Sequence, residues 1–148
     1  MRYVLVLVAM LSTACGGGSD RPAAPSPPPP PPPVNIGGTW TGTFESNYSP
    51  EAVTMNLTQV VASITGTWAL TSGPEALRAT GNISGTVDPS LFTGIVTHAL
   101  PSGQTCQGSF SGPSNTSQLL WSSPGFTGNC GFSAPGNPVN VRFVLQRR

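Results

Sequence analysis

Apolar and polar residues alternate along most of the sequence that follows residue 38. In residues 39–44, for example, Trp40, Gly42 and Phe44 alternate with three threonines. A period of two places successive side chains on opposite faces of a β-strand, whereas an amphipathic helix requires a period of 3.6. No segment has a convincing helical period. The sequence therefore predicts an all-β protein.

The alternation marks eight segments, which are separated by turn-forming Gly, Pro, Asn, Asp and Ser residues. These predicted strands are residues 39–44, 53–58, 64–71, 77–87, 92–98, 106–112, 119–121 and 139–145. Many short strands with turns between them are typical of small antiparallel barrels and of sandwiches.

Glycine repeatedly occupies the apolar side of these strands, at positions 42, 66, 81, 85, 94, 108 and 112. Interior glycine weakens a strand, so its repetition indicates sharp coiling or close approach of backbones. A small closed barrel needs such coiling and alternates large and small side chains inside. Closure also hides the sheet edges, which a chain without Lys has few charges to protect. We therefore expect an antiparallel up-and-down β-barrel of about eight strands with a Thr/Ser/Asn outer face; a β-sandwich is the alternative.

Charge is sparse in this sequence. Its 148 residues include six Arg, no Lys and five acidic residues, with a formal net charge of +1. Such a balance provides no basic surface for nucleic acid, so no nucleic-acid partner is expected. The length allows one ordinary domain.

The first residues have the features of an export signal. Arg2 precedes the nine residues 3–11, an apolar run too short to span a bilayer, which needs roughly 20 residues. Such a run suits the hydrophobic region of a signal peptide. Ala14 and Cys15 follow it, then a Gly/Ser linker. This order resembles a bacterial lipoprotein signal with its lipobox, which implies cleavage after Ala14 and diacylation of Cys15.

The lipoprotein resemblance also implies a location in the cell. Two acyl chains hold a protein stably at a membrane where one chain is marginal. Gly16 follows the cysteine, where inner-membrane retention signals place Asp. We therefore expect a cell-envelope protein anchored to a membrane by its N-terminal lipid, and the resemblance favours the outer membrane over the inner one.

A proline-rich segment separates the cysteine from the predicted barrel. Residues 16–33 contain nine of the 17 prolines, and residues 27–33 are all proline. Such a run adopts polyproline II at about 3.1 Å per residue, roughly 20 Å in all. This segment is expected to be a spacer that holds the domain away from the membrane. The chain thus divides into a signal peptide (1–14), a lipidated Cys with a Gly/Pro-rich tether (15–33) and a β-barrel domain (34–148).

The first strand opens with Gly38-Thr39-Trp40. On an all-β domain of this size, it is similar to the lipocalin-like (calycin) barrels, in which the tryptophan closes the barrel floor. Ile64-Thr-Gly-Thr-Trp68 is similar to a later strand of the avidin-like barrels. The resemblance implies the fold and a structural Trp40. Gly42 stands where avidin-like barrels place a polar ligand contact, so biotin binding is not implied.

Two cysteines remain once Cys15 is lipidated. Cys106 and Cys130 form an even pair in a protein outside the cytoplasm, which indicates a disulfide. It would close an interval of 23 residues and stabilise the domain by about 3 kcal/mol in the chain-entropy model. A metal site that includes His98 is the alternative, but no CxxC or HxxxH spacing supports it. No metal and no cofactor are expected.

Three residues are candidates for ligand contacts: Trp68, His98 and Trp121. The tryptophans line a pocket in one interpretation and fill the core in the other. His98 is the only histidine, and the alternation turns it inward near a strand end, as a ligand contact or as a histidine at the barrel rim. No GxSxG elbow or other catalytic signature accompanies it, so no enzymatic activity is expected.

These observations favour a non-enzymatic lipoprotein whose barrel binds a small apolar ligand or is a structural module. The alternative is a protein-interaction module that resembles the small periplasmic protease-inhibitor barrels. In that case the loop of residues 123–138, or the segment around Tyr48, would contact the partner.

Overall fold

The computed structural model describes residues 24–46, 50–75, 78–128 and 141–148. Their regular structure is almost entirely β, as the alternation predicts. The strands are β1 (Gly38–Glu45), β2 (Glu51–Val60), β3 (Ser63–Leu70), β4 (Thr80–Asp88), β5 (Leu91–Ala99), β6 (Thr105–Pro113), β7 (Gln118–Ser123), β8 (Thr127–Gly128) and β9 (Val141–Arg147).

The strands close into a barrel. Each of β1 to β5 pairs antiparallel with the next strand. The circle is then completed by the pairs β6–β7, β7–β9 and β9–β1. The two-residue strand β8 pairs with the start of β6 beyond the end of β7. Eight strands therefore form a closed antiparallel barrel in up-and-down order, and the short β8 extends its wall. The predicted barrel is confirmed, and the β-sandwich alternative is excluded.

Alternation along the strands builds the core. The inward residues of every long strand are buried, among them Trp40, Met55, Trp68, Phe92 and Phe143. Glycines share this inward side, as expected. A Cβ at Gly42 would meet the carbonyl group of Val144 on the neighbouring strand, so these backbones approach closely only because the side chain is missing.

One end of the barrel is closed by the segment that leads in from the proline-rich tether. Ile36 is fully buried, and its carbonyl accepts a hydrogen bond of 2.9 Å from Nε1 of Trp40. The guanidinium of Arg147 lies 4.9 Å from the centroid of the Trp40 ring and donates to the carbonyl of Asn35. Trp40 is thus a structural residue of a closed barrel end.

This end also includes the hairpin turns at 60–63 and 88–91 and the polar loop of residues 114–117, whose Ser114 N–H donates to the carbonyl of Ser90. We call residues 34–37 together with the turns at 60–63 and 88–91 the tether end. Residues 24–33 precede it without helix or strand, and residues 24–32 are exposed.

The turn between β2 and β3 contains a strained valine. Val61 has a φ of 56°, a left-handed conformation that is rare for a β-branched residue. A positive φ at the first central residue of a two-residue hairpin loop normally calls for glycine. Residues 60–63, Val-Val-Ala-Ser, include no glycine, proline, asparagine or aspartate. The sequence therefore does not indicate the left-handed turn that the structure has here.

Substitution of Val61 by glycine is expected to raise the free energy of unfolding by about 1 kcal/mol, because the left-handed strain exceeds the entropy that glycine loses on folding. The matched control, Val60→Gly, changes a residue of β2 with no positive φ and should destabilise the protein. Urea unfolding of both variants measures the difference. Equal destabilisation by the two substitutions would contradict the assigned strain.

Candidate functional site

The three residues predicted to contact a ligand all lie in the barrel interior. Trp68 on β3, His98 on β5 and Trp121 on β7 are exposed by 2%, 0% and 0%. The structure brings Trp68 and His98 together, edge to face, with ring centroids 5.6 Å apart. Trp121 instead stacks on Phe92, with a centroid separation of 3.8 Å and an interplanar angle of 13°. The three residues therefore do not form one site around a common space.

Trp121 has its polar atom satisfied inside the protein. Its Nε1 donates a hydrogen bond of 2.9 Å to Oγ of Ser114, a buried serine just past β6. Buried tryptophans usually find such a partner, since an unpaired N–H in an apolar interior is costly. Trp121 thus packs in the core and, through Ser114, fixes the chain segment that follows β6.

His98 is enclosed by aromatic rings. Its imidazole is perpendicular to the rings of Trp68 and Phe126, with centroids at 5.6 Å and 5.4 Å. Burial lowers the pKa of His98 to about 4, because the charged form loses its hydration. The side chain is therefore neutral at pH 7 and, with no exposed surface, it does not reach solvent.

The side chain of Trp68 interrupts the backbone pairing of β4 with β5 from inside the barrel. Its Nε1 donates a hydrogen bond of 2.9 Å to the carbonyl of Thr97 on β5, across Gly81 of β4. The backbone N–H of Asn82 donates instead to Oγ1 of Thr97, at 2.8 Å. The pairing of β4 with β5 accordingly skips from Thr80–Ala99 to Ile83–Val96. Two side chains replace a backbone pair at this point of the wall.

A cleft of about 910 Å³ lies on the outer face of the wall at this interruption. Most of its lining residues occupy outward positions on β2 to β6 and β8. The inward residues Trp68, Gly81, His98 and Cys106 complete the floor, so two of the predicted ligand contacts border this cleft and Trp121 does not. The outward residues are Thr54, Asn56, Thr67, Ala69, Thr80, Asn82, Thr97, Ala99, Thr105, Gln107 and Thr127. None of these side chains carries a charge. The cleft therefore presents hydroxyl, amide and methyl groups.

The polar groups of the cleft follow the strand register. Asn56 pairs with Thr67, and Thr67 pairs with Asn82. Thr97 on β5 pairs with Gln107 on β6. Amides and threonines thus alternate from strand to strand, and consecutive amides lie two strands apart, about 9.6 Å along the sheet.

Two of these amides are available to a ligand. In the described part of the chain, the side chains of Asn82 and Gln107 make no hydrogen bond with protein atoms, and both are exposed. By contrast, Oγ1 of Thr127 donates to the carbonyl of Gln107, and Oδ1 of Asn56 accepts from Thr39. The sequence marked this face only as a solvated outer surface. Its sole signal is the run of uncharged polar residues at alternate positions.

The cysteines are only partly described. Cys106 is 7% exposed and is not a free thiol, whereas Cys15 and Cys130 lie outside the described residues. The predicted disulfide and lipidation therefore stay predictions. Among residues that the structure describes, no group of three or more His, Cys, Asp or Glu side chains is arranged to hold a metal ion.

No helix in the described ranges has the length and apolar character needed to cross a bilayer. Comparisons with protein families, with curated proteins and with solved structures gave no match.

Proposed function

We propose that this chain is a lipid-anchored, non-enzymatic binding module of the cell envelope, and that its outer cleft takes a neutral polar ligand of the oligosaccharide class. The observation that carries the proposal is the cleft of about 910 Å³, in which every outward side chain is uncharged. A ligand site combines a concave surface with a few placed polar groups.

The chemistry of the lining supports a sugar. Free amides at Asn82 and Gln107 can each donate and accept hydrogen bonds, as vicinal hydroxyl groups do. Ala69 and Ala99 place methyl groups between the polar ones, and such groups suit the C–H faces of a sugar ring. An ionic ligand would find no opposite charge here, and a purely apolar ligand would leave the amides without partners at a cost of about 1–3 kcal/mol each.

The test is a titration of the full chain with the neutral hexasaccharides of cellulose, chitin and starch, followed by NMR or calorimetry. The substitutions Asn82→Ala and Gln107→Ala are each expected to weaken binding about fivefold, which corresponds to one lost hydrogen bond. Gln146→Ala, an exposed amide on β9 outside the cleft, is the matched control. Failure of all three sugars to bind, or equal losses in the control, would refute the proposal.

Binding of a small apolar ligand inside the barrel stays a prediction. Such a ligand would have to displace rings that are in mutual contact, such as those of Phe44, Trp68 and Phe143. Native mass spectrometry of the protein from its source cell distinguishes the alternatives, because a retained lipid-like mass supports the interior site. For the protein-interaction alternative, Tyr48 and residues 129–138 lie outside the described residues.

The anchor is tested separately at Cys15. Substitution of this residue by serine is expected to abolish labelling by a radioactive fatty acid and to release the protein from the membrane fraction, because the thioether carries both acyl chains. Cys106→Ser is the control and should leave the labelling intact. Unchanged membrane retention of the Cys15→Ser chain would refute the lipid anchor and the proposed envelope address.

A further inference from the structure

Exposed apolar side chains are concentrated at the tether end of the barrel. Four large hydrophobic residues of the described chain are exposed: Val60 by 67%, Val61 by 79%, Leu91 by 51% and Ile95 by 38%. The first three lie in or beside the turns of the tether end, and Ile95 lies on the side wall. Isolated exposed hydrophobic residues are normal, but a group at one end indicates contact with another apolar phase.

The tether enters the domain between these turns. The backbone N–H of Val34 donates a hydrogen bond of 2.6 Å to the carbonyl of Pro89 in one turn. Nε2 of Gln59 donates to the carbonyls of both Val34 and Val61, at 3.0 Å and 2.8 Å, and so connects the tether to the other turn. Val61 and Leu91 therefore flank the point at which residues 24–33 leave the barrel.

The strain at Val61 is an independent observation. A residue at this position needs a positive φ, which glycine or asparagine adopts at lower cost than valine. Strained conformations tend to persist at functional sites. The geometry of the turn therefore does not favour the apolar side chain at the exposed tip of this hairpin.

The charges near this end fit a lipid headgroup layer. Arg147 and Arg148 are exposed beside the segment of residues 34–37, through contacts with Asn35 and with Thr39. Asp88 is the acidic residue of the tether end. Cations beside exposed apolar groups favour the interface of a bilayer that contains anionic lipids.

We propose that the tether end is a membrane-contacting surface: the tips of the hairpins at 60–63 and 88–91 insert into the interface of the bilayer that holds Cys15. This inference rests on the proposed lipid anchor, and it departs from the expectation that the tether holds the domain away from the membrane. The 18 residues between Cys15 and Val34 set an upper limit of roughly 65 Å on the separation, but no lower limit, because the glycine-rich start can bend. A short tether provides an effective concentration in the millimolar range, so three apolar side chains suffice for contact.

Hydrogen exchange of the acylated full chain in vesicles of phosphatidylethanolamine and phosphatidylglycerol tests the proposal. The amides of residues 60–63 and 90–91 are expected to exchange about tenfold more slowly than in the unacylated Cys15→Ser chain mixed with the same vesicles. The turn at residues 101–104, at the opposite end of the barrel, is the internal control and should be unaffected.

The substitution Val61→Asn separates contact from folding, because asparagine tolerates a positive φ. This variant should fold at least as well as the native chain and lose the protection, whereas Ile95→Thr on the side wall should retain it. An acylated native chain with unprotected tips, or protection that survives in Val61→Asn, overturns this inference and leaves the anchor in place. A chain without acylation at Cys15 overturns both proposals.

Discussion

Substitution of Gly81 by alanine is expected to lower the free energy of unfolding by about 3 kcal/mol, the upper range for adding a methyl group to a packed interior. A Cβ at this position would overlap the carbonyl oxygen of Thr97 and approach Nε1 of Trp68. These are the two atoms that form the hydrogen bond across β4. The added methyl group would therefore separate the indole from the carbonyl, and this would leave both polar groups unpaired.

The matched control for Gly81 is Gly37→Ala. Near Gly37, the atoms around an added Cβ are at 3.4–3.6 Å, which is close to ordinary van der Waals contact. Chemical denaturation of both variants should show a large loss for the first and little change for the second. Gly81→Ala also tests the origin of the cleft, since loss of the Trp68–Thr97 hydrogen bond should weaken the binding of any ligand there. If Gly81→Ala were as stable as the native protein, the backbone at this point could move enough to accommodate the added methyl group.

Acidification from pH 6.5 to pH 4 is expected to destabilise the protein by about 3 kcal/mol through His98 alone. The pKa of this histidine is about 4 in the folded protein, against about 6.5 in an unfolded chain. Between these values the unfolded state binds a proton that the folded state does not bind. The stability is therefore complete above pH 6.5, decreases as the pH falls toward 4, and loses nothing more from this group below pH 4.

The variant His98→Gln isolates this effect, because it removes the titration while it retains a polar side chain. Glu51 is the group with the opposite sign: burial raises its pKa above 4.5, so its protonation favours the folded state as the pH falls. Since Glu51 is present in both chains, it cancels in the comparison. Urea midpoints measured across this pH range should show a steeper slope for the native protein than for His98→Gln. Parallel slopes would show that the imidazole titrates normally.

The barrel was predictable because its determinants are local. Alternation sets which side chains face inward, and repeated glycine on the inward side, as at Gly42, indicates the coiling that closure needs. The structural role of Trp40 was expected from the resemblance of Gly38-Thr39-Trp40 to the lipocalin-like barrels, and the residue is buried at a barrel end. The alternation and the inward glycines depend only on a residue's own position within a strand.

The cleft could not be predicted in the same way. It depends on which outward residues become neighbours across strands, such as Thr97 and Gln107, and this register is fixed only when the barrel closes. It also depends on the hydrogen bond from Trp68, a core residue whose indole reaches past the adjacent strand. Of the predicted ligand contacts, Trp68 and His98 are buried and border the cleft only at its floor, and Trp121 is buried away from it.

The position of the cleft on the outer wall has a consequence for how such a protein can diverge. Each strand carries its packing residues on one side and its contact residues on the other, so the two sets occupy separate positions in the chain. Exchange of Asn82 or Gln107 for another polar residue alters the recognition surface without changing the volume of the interior. New specificities can therefore arise by single substitutions at outward positions, with the barrel as an unchanged frame, and a library randomised at those positions should yield mostly folded proteins.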